Sequence, residues 1–212
     1  MAPTILFEND EVVAAAKPAG QPTIPGRGDA AAGALNQELE AALGRRLFVV
    51  HRLDREASGL LLFAKTATAH ARLCAEFEGR RVRKVYWALV NGVVSEAGEI
   101  ARPLRAFGSG RIGVGEPGKP SLTRYKVQET GRGATLLSVE PVTGRRHQIR
   151  AHLYAVGHPI LGDPLYGAPR PVGGAPRLML HALSLALDGL PSLSCPPPSD
   201  FLAVLSERGI SY

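Results

Sequence analysis

Two short apolar runs around a charged connection constrain this chain most. Leu47–Val50 and Leu60–Ala64 are both bounded by polar residues and glycine, a pattern typical of buried strands. The connection contains one acid, Asp54, between Arg52 and Arg55. Because rigid elements fix the loops that they carry, a carboxylate at this place can be a fixed catalytic group. A turn aspartate or a surface ion pair explains the same pattern, so the rest of the chain decides between these interpretations.

An excess of positive charge narrows the class of partner. The chain has 25 Lys and Arg against 19 Asp and Glu, a formal net charge of +6. This favours a polyanion, and nucleic acid ahead of a membrane surface, although a merely solvated basic surface is compatible with it. Cys74 and Cys195 match no metal-binding or disulfide spacing, the start of the chain lacks a signal-peptide pattern, and no apolar run approaches a membrane span. We therefore expect a cytoplasmic protein.

The hydrophobic periodicity predicts an α+β fold, with a mixed and largely antiparallel sheet flanked by helices. The length allows one large domain or two small lobes, and we expect a single domain over residues 1–212 because no composition shift marks a linker. Besides the two runs above, the expected strands are Thr4–Phe7, Val12–Ala16, Arg80–Val90, Ile100–Phe107, Ser121–Glu129, Ala134–Val142 and Arg177–Leu187. The expected helices are Ala30–Leu43 ending at Gly44, a helix capped by Thr66 that reaches Glu78, one within Thr143–Tyr154, and a last helix capped by Ser199.

The third of these helices contains an unusual arginine pattern. Ile149 and Leu153 share its apolar face, while Arg146 and Arg150 lie four residues apart on the adjacent stripe. Arginines near a helix N-terminus oppose the helix dipole, so helix stability does not explain them. An anionic partner does, either a phosphate or a carboxylate such as Asp54.

Other site chemistries fit this sequence less well. Gly108–Gly113 and Gly113–Lys119 partly match nucleotide-binding loops, but no helix follows and Pro120 stands where such a loop needs Ser or Thr, so we expect a hairpin loop. The six histidines show no metal-ligand spacing, and Ser58 lacks the context of a nucleophilic serine. What remains is a loop carboxylate, an arginine stripe and a tyrosine in a basic strand. This set describes a nucleophile or base that works without metal or cofactor.

Several segments occur in an order that matches one known family. They are Lys17–Gly20, His51–Asp54 followed by Ser58–Leu61, Lys84–Gly92, Gly118–Val127, Thr143–Leu153, Leu178–Ala182 and Pro198–Phe201. Together they resemble the motifs of the RluA-type pseudouridine synthases over almost the whole chain. The departures are Ala57, Trp87 and Arg146. The chain leaves no room for the N-terminal S4 module of some relatives, so it is similar to the compact members.

The resemblance implies isomerisation of a uridine in structured RNA, tRNA or rRNA, by a monomer that needs no cofactor and no metal. Asp54 would attack C1′ of the ribose or remove its 2′ proton, and Tyr86 would stack on the base. Arg150 would pair with Asp54 and hold it in place. Leu53 and Leu180 would line the base pocket.

The same resemblance implies contacts to RNA from basic residues. Arg52 would fill or brace the space that the flipped uridine vacates. The other expected RNA-binding residues are Arg55, Arg83, Lys84, Arg145, Arg146 and His147. Two alternatives stay open, a non-catalytic RNA-binding module on the same fold and a hydrolase that acts on a free nucleoside. The first would bind RNA and leave every uridine unchanged, and the second would release uracil.

Overall fold

A computed structural model describes residues 2–26, 33–108, 111–167 and 175–212. The strands are β1 (Thr4–Glu8), β2 (Val12–Lys17), β3 (Phe48–Val49), β4 (Ser58–Ala64), β5 (Arg83–Asn91), β6 (Gly98–Ala101), β7 (Leu104–Ala106), β8 (Ile112–Val114), β9 (Leu122–Gly131), β10 (Ala134–Pro141), β11 (Leu180–Ala186) and β12 (Leu193–Ser194). The helices are α1 (Leu35–Leu43), α2 (Ala67–Glu78), α3 (Gln148–Ala155) and α4 (Ser199–Glu207). Among the described residues, no helix is long and apolar enough to cross a membrane.

The first compact unit comprises Met1–Arg83 and His181–Pro196. Its strands lie in the order β1–β2–β4–β11, with β3 beside β4 and β12 beside β11. β2 and β4 are antiparallel, whereas β4 and β11 are parallel, so this sheet is mixed. β4 is buried along its whole length, with Leu60 and Leu62 packed in one core with α2 and Leu61 and Phe63 packed in another with α1. Alternate side chains of one strand therefore serve two cores.

The second compact unit comprises Lys84–Leu180 and Pro197–Tyr212. Its strands β5–β10–β9–β6 form consecutive antiparallel pairs. β7 and β8 form a separate hairpin, which packs with α3 in a small core of Leu104, Ile112, Ala151 and Tyr166. The antiparallel pairs, the parallel β4–β11 pair and the four helices confirm the predicted α+β class. The single domain over residues 1–212 stays a prediction.

Several predicted boundaries are wrong, for local reasons. The strand expected over Ile100–Phe107 is divided into β6 and β7, because Pro103 lies between them and has no N–H to donate to a sheet. β6 and β9, which flank the two rejected nucleotide-loop matches, pair antiparallel. The segment between them is not a simple hairpin loop, because it contains the β7–β8 hairpin, and residues 109–110 lie outside the described residues. The first residues of the helix expected from residue 30 also lie outside them, and α1 is described from Leu35 to Gly44, whose φ of 63° gives the left-handed C-cap.

The two predicted N-caps have different outcomes. Thr66 caps α2, and its hydroxyl accepts a hydrogen bond from the Ala69 N–H at 3.1 Å. The prediction that Ser199 caps the last helix is wrong. Ser199 is the first residue of α4, and Pro198 occupies the N-cap position without a side-chain capping hydrogen bond. Of the two predicted caps, Thr66 satisfies an N–H group at the start of its helix and Ser199 does not.

Thr66→Ala is expected to lower the free energy of unfolding by about 1 kcal/mol, because the Ala69 N–H loses its acceptor. Urea unfolding followed by circular dichroism measures the change. Ser199→Ala is the matched control and should change stability by less than about 0.5 kcal/mol. Equal losses in the two variants would contradict the assignment of the caps.

Candidate active site

Asp54 lies half-buried in the loop of residues 50–57 between β3 and β4. The backbone beside it is fixed by Thr23, whose hydroxyl oxygen accepts from the Leu53 N–H and lies within hydrogen-bonding distance of the Leu53 carbonyl, both at 3.3 Å. The Ala57 N–H donates to the Asp54 carbonyl at 3.2 Å and closes the turn. The carboxylate is therefore carried by a backbone that is fixed on both sides.

Lys17, the last residue of β2, also binds the loop that carries Asp54. It is only 1% exposed, and its ammonium donates to the carbonyls of Pro18 and Gln21 at 2.8 Å and of Arg55 at 3.0 Å. The Gly20 N–H also donates to the Arg55 carbonyl at 2.8 Å, and Arg55 Nε donates to the Gly20 carbonyl at 3.0 Å. Sequence reasoning assigned Lys17 no role, and the available signal was a lysine at the end of an apolar strand.

A buried serine–histidine pair anchors the other end of the loop. Ser58 Oγ lies 2.9 Å from His181 Nδ1, and His181 Nε2 lies 2.8 Å from the Cys195 carbonyl. Because a carbonyl only accepts, Nε2 carries the proton and Nδ1 accepts from the Ser58 hydroxyl. Gly59, at a φ of 121°, has no room for a Cβ against the Ala182 backbone. This pair joins β4 and β11 to the residue that follows β12.

His51, the first residue of the same motif, supports β4 directly. Its Nε2 accepts from the Leu62 N–H at 3.0 Å, and its ring stacks on Phe77 with centroids 4.7 Å apart. An accepting Nε2 carries no proton, so the ring is the neutral tautomer with its proton on Nδ1. The motif histidine therefore positions the strand after Asp54.

Tyr86 and Lys84 lie on β5 in the second unit. Residues two apart in a strand point to the same face, so these two side chains share a face. Both are half-buried, whereas Arg83 at the strand start is exposed. Tyr86 is paired in register with Val139 of β10, which fixes the backbone that carries its ring.

Arg150 of α3 is a buried cation with a carboxylate partner that sequence reasoning missed. It is 2% exposed, and its Nε and Nη2 donate to the two oxygens of Asp163, both at 2.8 Å. Asp163 Oδ1 also accepts from the N–H groups of Leu165 at 2.8 Å and Tyr166 at 3.0 Å. Burial opposes ionisation of Asp163, but the hydrogen bonds and charge of Arg150 outweigh it and lower the pKa of this carboxyl. Asp163 therefore fixes the plane of the Arg150 guanidinium.

A buried polar network fixes the start of α3. Gln148 Oε1 lies 2.6 Å from the Thr143 hydroxyl, and Gln148 Nε2 donates to the Thr123 hydroxyl at 3.0 Å. His152 continues the network, with Nδ1 2.9 Å from the Thr123 hydroxyl and Nε2 3.0 Å from the Arg102 carbonyl. Burial lowers the pKa of His152. The network ties the loop before α3 to β9.

The predicted stripe of Arg146 and Arg150 is wrong. α3 begins at Gln148, and His147 precedes it at a left-handed φ of 51°, which few residues other than glycine adopt. His147 Nδ1 lies 3.1 Å from the Tyr166 hydroxyl, a contact that helps to hold this conformation. Arg146 is consequently exposed in the turn before the helix, while Arg150 is buried within it.

The remaining predicted residues differ in exposure. Asp54 belongs to the first unit, and Tyr86 and Arg150 belong to the second. Exposed side chains are those of Arg52, Arg55, Arg83 and Arg146, and half-buried ones are those of Leu53, Lys84, Arg145 and His147. Leu180 is 4% exposed. The assigned roles, including the pairing of Arg150 with Asp54, stay predictions.

The chemistry open to these groups is that of a carboxylate, a guanidinium and a phenol. In the part of the chain that the structure describes, no group of three or more His, Cys, Asp or Glu side chains could hold a metal ion. A carboxylate on a fixed loop can act as nucleophile or base, and a fixed guanidinium can orient an anion.

Comparison with known proteins defines the class. A family model described as RNA pseudouridylate synthase matches residues 11–155, the span that contains Asp54, Tyr86 and Arg150. This is more than half of the chain, so the chain belongs to the RNA pseudouridylate synthase family. The predicted enzyme class, an RNA pseudouridine synthase, is thereby confirmed.

Curated relatives identify the branch of the family as the RluA type. The chain is 38% identical over 192 residues to the dual-specificity RNA pseudouridine synthase RluA of Vibrio cholerae, covering 85% of this chain and 75% of that one. It is 40% identical over 196 residues to the ribosomal large subunit pseudouridine synthase D of Nitrosomonas europaea, covering 86% of this chain. The chain spans only 57% of the length of that second relative.

Solved structures confirm the fold. Human RNA pseudouridylate synthase domain containing 4 superposes with a TM-score of 0.82 at 24% identity, covering 99% of this chain and 94% of that one. Human RNA pseudouridylate synthase domain containing 1 gives a TM-score of 0.79 at 29% identity, covering 92% and 83%.

Asp163→Asn is expected to lower the free energy of unfolding at pH 7 by about 3 kcal/mol, because it removes the counter-charge of a buried arginine. The pKa of Asp163 is lowered in the folded state. Its contribution is therefore complete above the unfolded-state pKa of about 3.9 and is lost as pH falls through the lower folded-state pKa. The stability difference between wild type and variant should thus be constant from pH 7 to about pH 5 and shrink in more acidic buffer. Urea unfolding over this pH range measures it.

Asp200→Asn is the matched control, because Asp200 makes a similar bidentate ion pair near the surface. Its two carboxylate oxygens accept from Arg177 Nε at 2.6 Å and from Arg177 Nη2 at 2.8 Å. We expect it to cost less than about 1 kcal/mol. A loss as large as that of Asp163→Asn would contradict the importance of burial at Arg150.

Proposed function

We propose that this chain converts specific uridines of structured RNA, tRNA or rRNA, into pseudouridine, as a cytoplasmic monomer that uses no cofactor. One observation carries the proposal, the fixing of the Asp54 loop by the buried Lys17 ammonium and the Thr23 hydroxyl in a chain of this family. A surface aspartate needs no such support. A reacting carboxylate does, because catalysis depends on a held geometry.

The reaction exchanges one glycosidic bond for another. The N1–C1′ bond of the uridine breaks, the base turns over, and C5 bonds to C1′, after which C5 loses its proton and N1 carries one. Asp54 either attacks C1′ to form a covalent intermediate or removes the 2′ proton. Atoms balance within the nucleotide, so the proposal requires neither a redox partner nor an energy source.

Tyr86 and Arg150 have supporting roles in this proposal. Tyr86 stacks on the uracil and assists removal of the C5 proton, and its half-buried place on β5 leaves part of the ring accessible for this. Arg150 orients the Asp54 carboxylate, and the Asp163 carboxylate fixes the guanidinium plane that this requires. Leu53 and Leu180 contribute apolar surface to the base pocket.

A structured RNA is the proposed substrate because charge favours it and the reaction requires access to a stacked base. Arg52, Arg55, Arg83 and Arg146 are exposed, and we assign them to phosphate contacts. The target uridine leaves its stack, and Arg52 occupies the space that it vacates. Both cysteines, Cys74 and Cys195, are free thiols, which supports a reducing compartment.

Asp54→Asn is expected to reduce pseudouridine formation at least about a thousandfold, because an amide is neither a nucleophile nor a base here. The assay is tritium release from RNA labelled at C5 of uracil, together with RNA affinity measured by filter binding. Affinity should change by less than about threefold, since a single residue that contacts the reacting sugar adds little to many phosphate contacts.

Asp10→Asn, the same change at an exposed aspartate of the first unit, is the control and should retain wild-type release. Full release by Asp54→Asn would refute the assignment of Asp54. RNA binding by wild type without any release would favour a binding module, and free uracil would indicate a hydrolase.

A further inference from the structure

Lys84 is a half-buried cation that has no counter-charge among the described residues. Its ammonium makes no hydrogen bond and no ion pair within the described ranges, and burial alone lowers its pKa. Removing a charge from water without pairing it is unfavourable, so such groups are rarely retained for stability. An anion bound beside the ammonium would offset this penalty.

The neighbouring backbone leaves one side of this ammonium uncovered. Lys84 Nζ is the nearest heavy atom to the place that a Cβ on Gly144 would occupy, at 3.8 Å. Gly144 itself is exposed, so the ammonium lies next to a surface position that carries no side chain. Any larger residue there would lie in contact with the ammonium and cover part of it.

A second cation beside Gly144 also has an unused donor. Arg145 is half-buried, and its Nε is a buried atom with no hydrogen-bond partner among the described residues. Its backbone N–H, by contrast, is satisfied by Gln148 Oε1 at 3.0 Å. The backbone of the loop is therefore fixed, and two cations with unpaired donors adjoin Gly144, an arrangement that favours a phosphate.

The strand geometry limits which phosphate this is. Lys84 and Tyr86 share a face of β5 and are two residues apart, a separation of about 7 Å along a strand. A group stacked on Tyr86 and an anion on Lys84 are therefore about one nucleotide apart. We propose that Lys84, beside Gly144, binds a backbone phosphate that directly flanks the target uridine. This proposal rests on the proposed role of Tyr86 in binding the target base.

The test combines protein and RNA substitutions. Lys84→Met and Lys84→Arg are assayed for kcat/KM by tritium release on RNA with a neutral methylphosphonate at the 5′ or the 3′ phosphate of the target uridine, and on unmodified RNA. On unmodified RNA, Lys84→Met should lose about 10- to 100-fold, the effect of one charge-assisted hydrogen bond. One of the two methylphosphonates should weaken wild type to a similar extent and cost Lys84→Met nothing further, because the contact is already absent. Lys84→Arg should retain most of the activity and stay sensitive to that methylphosphonate.

Lys126→Met, the same substitution at an exposed lysine of β9, is the control and should keep the wild-type sensitivity to both methylphosphonates. Gly144→Ala leaves Lys84 in place and partly covers it, and should reduce kcat/KM by about 3- to 10-fold with a weaker response to the same methylphosphonate. If Lys84→Met does not fold, the response of Gly144→Ala to the methylphosphonate decides whether Lys84 binds the phosphate.

The results separate the two proposals. Absence of tritium release by wild type would refute the proposed function. Release by wild type, with the losses of Lys84→Met and of each methylphosphonate multiplying independently, would overturn only the phosphate site.

Discussion

The buried ammonium of Lys17 is the contact on which the candidate site depends. A charge without partners in a protein interior is strongly unfavourable, and three carbonyls offset this only when the backbone holds them at the right places. One of these carbonyls belongs to Arg55, directly after Asp54. The last residue of β2 thereby determines where the Asp54 loop lies.

The second unit is organised around another buried charge. Arg150 donates two hydrogen bonds to the Asp163 carboxylate, which also accepts hydrogen bonds from two backbone N–H groups. The network of Gln148 and His152 fixes the helix that carries Arg150. Each unit thus holds one proposed functional group by buried polar contacts rather than by surface ion pairs, which suits groups whose orientation matters more than their contribution to stability.

The sequence predicted the parts that depend on local pattern. The apolar run of β4, the Thr66 cap and the Gly44 helix end follow from periodicity and capping chemistry. It did not predict the partners of Lys17 and Arg150, because Arg55 lies 38 residues from Lys17 and Asp163 lies 13 residues from Arg150. The start of α3 was also missed, because the side-chain network of Gln148 and the left-handed His147, rather than helix propensity, set it. The motifs located Asp54, Tyr86 and Arg150 in the sequence, while their contacts depend on chain segments that no local pattern connects.

The most direct test of the central claim is nucleoside analysis of RNA from cells that lack this protein, before and after incubation with the purified chain. Liquid chromatography of the digested RNA separates uridine from pseudouridine. The account predicts a gain of pseudouridine equal to the loss of uridine, with no free uracil and no added cofactor. An unchanged pseudouridine content in RNA that the protein demonstrably binds would contradict it.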